Sequence, residues 1–304
     1  MSRYAQQPRV TVVIPTFNRA RHLARCLDSL VVQTWRDFEV VVCDDGSTDE
    51  TADVVRRYTP HLDLTYDYAA NWGGPARPRN RGIARSRGEY VAFVDSDDWW
   101  TRDKLERSLE ALDRGADVVY HDLFLVTHDD QRTFWRRARA RTVRAPVYDD
   151  LLEHGNAIPL SSVVVRRSLL AAIGGMPEDR SLVAIEDFTC WLNAARVTDR
   201  FTRIPKVLGY YWAGGGNISG DDRMIRLLDA FEAKYVRGDG GHGRPVPAWL
   251  TYARGRAFYR MGDYAAAREQ FAALGWGDMP GFGIAKIAWM RLALSVAPRN
   301  SRPS

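Results

Sequence analysis

Apolar and polar positions alternate between two periods along the first half of the chain. Residues 10–14 form an unbroken, Val-rich run of strand length, the pattern of a strand buried on both faces. Leu23, Cys26, Leu27 and Leu30 follow at helical spacing. Further strands are predicted at 38–43, 62–66, 90–94 and 117–121. Helices are predicted at 51–58 and 80–86, and after an N-cap at Thr101 on the face of Leu105, Leu109 and Leu112. Residues 71–78 are rich in Gly and Pro and read as a loop. This alternation predicts an α/β fold with a doubly wound, mainly parallel sheet and helices on both faces.

The pattern loosens between Leu123 and Val147 and resumes with a strand at 161–165, a helix at 167–173 and a break at Gly174-Gly175. A helix with an acidic start is predicted at 185–195 and a strand at 207–212, closed by Gly214-Gly215-Gly216. From Asp221 onward the periodicity is helical, with Met224, Leu227, Leu228, Phe231 and Tyr235 on one face. A Gly-rich linker is expected at 237–243. A helical hairpin follows at 249–261 and 264–274, turning at Gly262-Asp263, and a last helix at 284–296. The reading divides the chain at 219/220, with a C-terminal helical region over 220–304.

Composition narrows the classes. Hydrophobic residues at 45% and charged residues at 27% suit a globular protein with a sizeable core. The formal charge of +5 permits acidic small-molecule substrates or an anionic membrane surface and demands neither; no nucleic-acid partner is expected. Cys26, Cys43 and Cys190 lie in apolar segments without a C-x-x-C pair, so they read as buried thiols of a reducing compartment. The N-terminus is short and polar, unlike a signal peptide, and no apolar run reaches the roughly 18 residues of a spanning helix. A cytoplasmic protein is expected, with peripheral contact at the inner face of a membrane left open.

Open α/β sheets bind ligands at the carboxyl ends of their strands. The first strand leads into Pro15-Thr16-Phe17-Asn18, with neither a G-x-G-x-x-G fingerprint nor a P-loop. The second leads into Asp44-Asp45-Gly46-Ser47-Thr48-Asp49, which suits either donor groups such as a base N–H or a helix N-cap. The fourth leads into Asp95-Ser96-Asp97-Asp98. Three carboxylates so close repel one another unless a cation joins them, and hard oxygen ligands suit Mg²⁺ or Mn²⁺. Glu186-Asp187 opens the helix predicted at 185–195; a carboxylate there serves either as a general base or as favourable charge at a helix N-terminus.

Taken together, these stations resemble the family 2 glycosyltransferases, which have the GT-A fold. The matching pieces are Val12-Val13-Ile14-Pro15-Thr16-Phe17-Asn18, Gln33-Thr34-Trp35, Val42-Cys43-Asp44-Asp45-Gly46-Ser47-Thr48-Asp49 and Arg79-Asn80-Arg81-Gly82-Ile83-Ala84. The last leads into Gly88-Glu89-Tyr90-Val91-Ala92-Phe93-Val94-Asp95-Ser96-Asp97-Asp98. The resemblance covers roughly residues 9–215. It implies a catalytic domain over 1–219, with a nucleotide-binding half at about 9–121 and an acceptor half at about 122–219.

The resemblance also implies roles. Pro15, Thr16, Phe17 and Asn18 would line the nucleoside pocket, Asp45 would accept from the base, typically uracil, and Arg77 or Arg79 would approach the diphosphate. Asp95 and Asp97 would serve ribose and metal, with Asp97 and Asp98 as metal ligands for Mn²⁺ or Mg²⁺. Asp187, preceded by Glu186, would be the catalytic base of an inverting single displacement. The partners implied are a nucleotide-sugar donor, a UDP-sugar foremost, and a saccharide or lipid-linked acceptor in cell-envelope polysaccharide or glycoconjugate synthesis. A homo-oligomer stays open. The reading from another class is a catalytically idle relative acting as a scaffold.

Where many relatives carry a histidine after the last strand, this chain has Ala213-Gly214-Gly215-Gly216, which reads as a movable acceptor flap. Arg132, Arg136, Arg137, Arg139, Arg141 and Arg144 fall in a stretch with no acid between Asp130 and Asp149. They read either as a contact for a phosphate-bearing acceptor or anionic surface, or as a solvated basic loop. The last helix, with Trp289, Met290, Leu292 and Leu294 beside Lys286 and Arg291, suits either an anionic membrane surface or core packing.

Overall fold

The first strand predicted from the sequence, β1 (Val10–Thr16), is wholly buried at the centre of the sheet, as its unbroken apolar run requires. The structure, a computed structural model, describes residues 7–215, 221–238, 245–275, 277–278 and 282–296. The chain divides into two compact units. The first takes in 1–148, 157–179 and 185–216, and the second 149–156, 180–184 and 217–304.

In the first unit β1 pairs in parallel with β2 (Phe38–Asp44) on one side and β4 (Tyr90–Phe93) on the other, and β2 pairs in parallel with β3 (Leu64–Tyr68). Beyond β4 the order continues β8 (Val164–Arg166), β6 (Val118–Val126), β9 (Phe201–Trp212) and β5 (Trp99–Trp100). β7 (Arg137–Ala138) pairs with β6. β6 and β9 are parallel, while β8 runs antiparallel to both β4 and β6. The sheet is therefore mixed, and the carboxyl ends of β1, β2 and β4 share one edge.

Three helices connect β1 to β4 along the chain: α1 (Ala20–Val31), α2 (Thr51–Tyr58) and α3 (Ala76–Arg85). α1 buries Leu23, Cys26, Leu27 and Leu30, the face read from their spacing. α4 (Lys104–Asp113) begins later than Thr101 suggested, with Asp103 as its N-cap. Gly88 enters β4 against the backbone of β1: a Cβ there would lie 2.6 Å from Thr11 N and 2.7 Å from Val10 C. Backbone gives way poorly, so Gly88→Ala is expected to cost about 1–3 kcal/mol. Urea unfolding at neutral pH checks this; an unchanged midpoint would show that β1 and β4 tolerate the added methyl.

The sequence placed a strand at 161–165, but only Val164–Arg166 pairs. Pro159 turns the chain just before, where its carbonyl accepts from both the Ser162 N–H at 3.0 Å and the Ser162 hydroxyl at 2.6 Å. β6 and β9 each run longer than their apolar runs, because each supplies the other's ladder across an irregularity at His121–Phe124. α6 (Arg167–Ala172) and α7 (Glu186–Ala195) complete the described helices of this unit. α5 (Val147–His154), which the sequence pattern did not announce, passes from the first unit into the second.

The second unit is helical: α8 (Asp221–Phe231), a helical continuation over Glu232–Gly238, α9 (Ala248–Arg260), α10 (Tyr264–Ala272) and α11 (Phe282–Val296). Asp263 accepts from Ala266 N–H at 3.0 Å and caps α10 after the left-handed Gly262. Gly255 lets α9 approach Phe271. Ala267, Phe271, Leu274, Ile287, Met290 and Leu294 form the local core. The last helix thus buries Met290 and Leu294 while Trp289 and Leu292 face outward. The linker expected at 237–243 falls partly outside the described residues, as does the flap expected at Gly214–Gly216. No described helix is long and apolar enough to cross a membrane.

Candidate active site

The loops after β1, β2 and β4 meet at one sheet edge, and hydrogen bonds tie the first two together. Asn18 adopts a left-handed backbone at φ 50°, which Asn tolerates. Its N–H donates to Ser47 Oγ and its Oδ1 accepts from Thr48 N–H, both at 2.8 Å. Pro15 and Thr16 are buried within β1, while Phe17 is 45% exposed. Of the four residues assigned to the nucleoside pocket, Phe17 therefore presents the open surface and Asn18 fixes the loops.

Asp45 is buried, and its carboxylate accepts from Trp72 N–H at 3.0 Å and Gly73 N–H at 3.2 Å. It holds the Gly-rich loop after β3, whose backbone donors need acceptors. Asp44 accepts from the Tyr66 hydroxyl and from Ser47 N–H, so that part of the acidic pair is structural.

Arg79, on α3, is the joint of the site. One guanidinium nitrogen donates to Asp95 Oδ1 at 2.7 Å and another to Glu186 Oε1 at 2.6 Å. Burial opposes the charge on Arg79, but Asp95 and Glu186 outweigh it and hold the group above its ordinary range. The resemblance offered Arg77 or Arg79 for the diphosphate. The structure locks Arg79 between two carboxylates and leaves Arg77 exposed, with Nε on Glu178 at 3.1 Å. Asn80 bonds Met176 in both directions and donates to Glu178, pinning that loop to α3.

In the acidic turn, Asp98 N–H closes onto Asp95 O at 3.0 Å. Asp97 is pushed up to about 6, by burial first and then by Asp95, with Arg19 and Arg25 opposing. Asp98 is driven well above the carboxylate range by burial, Asp97 and Asp95. Its Oδ1 accepts from Trp212 N–H at 2.7 Å. Ser161 Oγ, which accepts from Asp95 N–H, lies beside Asp98 without closing a hydrogen bond to Oδ2, so that oxygen is buried and unpartnered.

Among the described residues no three His, Cys, Asp or Glu side chains converge to cage a metal. An orphaned carboxylate oxygen between crowded acids still fits a divalent ion held by one or two carboxylates and completed by substrate phosphates. Asp97 and Asp98 are the residues that fit it.

Glu186 and Asp187 open α7 and divide their work. Glu186 is 4% exposed and committed to Arg79. Asp187 is half-buried, accepts from Phe188 N–H at 2.6 Å, and is raised to about 7 by burial first and then by Glu186, with Arg79 opposing. Asp95 raises Asp187 as well. Charge at a helix N-terminus alone would lower Asp187, so burial and its acidic neighbours decide its state.

Arg25, which sequence reasoning passed over, clamps the acidic turn. Its guanidinium lies 3.8 Å from the Trp99 ring and 5.0 Å from that of Trp212, donates to Asp97 O at 3.2 Å and pairs with Asp129. Its partners are scattered along the chain, so the α1 pattern held no signal for it.

Comparison with known proteins gives the same outline. The sequence model described as Glycosyl transferase family 2 matches residues 11–174. An uncharacterized glycosyltransferase of Nostoc sp. is 30% identical over 216 residues, covering 69% of this chain and 66% of that protein. The poly(ribitol-phosphate) beta-N-acetylglucosaminyltransferase TarS of Staphylococcus aureus is 39% identical over 106 residues, which is 34% of this chain and 18% of TarS. This chain thus spans less than two thirds of the length of either relative. In structure it is similar to residues 1–349 of TarS in complex with UDP-GlcNAc, with a TM-score of 0.63 at 20% identity over 95% of this chain and 82% of that one. It is also similar to a mannosyltransferase from Pyrobaculum calidifontis in complex with GDP-Man and Mn²⁺, with a TM-score of 0.59 at 25% identity over 96% of this chain and 81% of that one.

Proposed function

We propose that this chain, which belongs to glycosyl transferase family 2, transfers a sugar from a nucleoside-diphosphate sugar to an acceptor hydroxyl with inversion, Asp187 acting as the base. The observation that carries this is the setting of Asp187. A half-buried carboxylate raised to about 7, beside a locked Arg79–Glu186 pair at the ligand-binding edge of the sheet, is poised to take a proton at neutral pH.

Phe17 offers a face to the nucleoside, and exposed Arg77 offers charge to the diphosphate. Asp97 and Asp98 would hold Mn²⁺ or Mg²⁺, which supplies charge stabilisation for the departing diphosphate when bound. Arg79 keeps Asp95 and Glu186 in place and leaves Asp187 outside that bridge. The acceptor hydroxyl gives its proton to Asp187 as its oxygen bonds to the anomeric carbon, and the nucleoside diphosphate leaves from the opposite face.

The UDP-GlcNAc held by TarS supports a UDP-sugar as donor, and the poly(ribitol-phosphate) on which TarS acts supports a polymeric acceptor. The test is thermal stability against a panel of sugar nucleotides with and without Mn²⁺. Binding to the folded state alone is worth about 2.7 kcal/mol at a hundredfold excess over Kd. A metal-dependent rise in Tm with one donor is the expected result. A folded sample that responds to no nucleotide would instead favour the idle scaffold.

A further inference from the structure

We propose that the surface running from Trp99 through Tyr210 and Phe134 to Arg137 is a binding track for an acceptor polymer joined by phosphodiesters. This rests on the glycosyl-transfer reading and names its acceptor class. Trp99 directly follows Asp98, so the track begins at the acidic turn. The Trp99 and Tyr210 rings stack at 4.9 Å and 11°. Phe134 meets Tyr210 edge-on at 4.9 Å, and Phe124 packs within 5.5 Å of Tyr210. All four rings are half-buried; Arg25 and Tyr210 cover the Trp99 ring, so the exposed parts of Phe134, Phe124 and Tyr210 are left for the C–H faces of a sugar or polyol.

The charge lies where the rings end. The Arg137 guanidinium sits 5.8 Å from the Phe124 ring, on the same face. Arg132, Arg136, Arg137, Arg139 and Arg144 are all exposed, and among the described residues none has a carboxylate partner. The arginines of the nucleotide side differ: Arg79, Arg81, Arg85 and Arg87 each hold an acid. Exposed guanidiniums this close in sequence and without carboxylate partners repel one another and are complemented by an anion with several charges, as in a phosphodiester chain. A membrane fits less well. Within 127–146, all described, Trp135 is the only exposed large hydrophobic side chain, and Trp99 and Tyr210 belong to strands rather than to a loop tip.

The test uses the full chain with three probes: inorganic polyphosphate, a glycerol-phosphate oligomer and vesicles containing phosphatidylglycerol. Wild type is expected to bind polyphosphate and the oligomer with affinity that falls as salt rises. The double variant Arg136→Glu, Arg137→Glu is expected to bind both at least about tenfold more weakly and to lose about two from the slope of log K against log salt. The nucleotide-sugar Tm shift is expected to persist in that variant. Phe134→Ala is expected to weaken the oligomer about 2–10-fold while leaving polyphosphate unchanged; an unchanged oligomer would remove the rings from the track. Absent polyphosphate binding, or equal binding by the double variant, would overturn the proposal. So would charge reversal that abolishes only vesicle binding. A missing nucleotide shift with polyphosphate binding intact would instead overturn the transfer reading and leave the anionic surface standing.

Discussion

Asp187→Asn is expected to lower kcat by about 10²–10⁴-fold while leaving the nucleotide-sugar Tm shift in place. The substitution keeps the shape and the hydrogen bond from Phe188 N–H but removes the proton acceptor. The loss should fall on kcat rather than on donor affinity, because Asp187 opens α7 while the residues assigned to the nucleoside lie at the ends of β1 and β2. Steady-state transfer with the donor found by thermal shift checks it, and full activity in the variant would mean that Asp187 is not the base.

The wild-type pH profile offers a second reading of the same group. A base must be unprotonated, and burial beside Glu186 raises Asp187 to about 7. In kcat/KM, activity is therefore expected to fall as pH drops through about 7 and to level off above it. An ordinary carboxylate near 4 would keep full activity down to about pH 5. That outcome would deny that burial governs the group.

Arg79→Ala is expected to destabilise the fold by about 3–5 kcal/mol, the usual cost of removing one partner from a buried ion pair. Arg79 bridges Asp95 and Glu186 at 2.7 and 2.6 Å, and without it two acids face one another at the buried edge of the site. Arg79→Lys should recover only part of the loss, because a point charge cannot span both carboxylates as the planar fork does. Urea unfolding at neutral pH measures both variants. The deficit of Arg79→Ala should shrink in acid, where the stranded carboxylates take protons. A loss below about 1 kcal/mol would make the bridge a surface-like pair of little weight.

The same two residues show how far sequence alone reaches. Local chemistry was legible wherever neighbours in sequence are neighbours in space. The apolar runs of β1, β2 and β4 gave buried strands, the spacing on α1 gave its inner face, and the crowding of Asp95, Asp97 and Asp98 gave an acidic turn at a strand end. Their order and spacing were enough for the family. Glu186 and Asp187 were legible from the residues as an acidic pair, and the resemblance alone singled out Asp187 as the base.

Their division of labour came from tertiary structure, because Arg79 lies 107 residues before Glu186 and only the packing of α3 beside α7 brings them to hydrogen-bond distance. The hold of Asp45 on a loop has the same origin: its partners, Trp72 and Gly73, come from the loop after β3. Arg25 and its two tryptophans assemble from α1, β5 and β9. Periodicity and spacing determined which elements form and which end of the sheet carries charge. Burial and partners distant in sequence decided which carboxylate is locked and which is left near neutrality, because desolvation and ion pairing depend on what surrounds a side chain rather than on what precedes it.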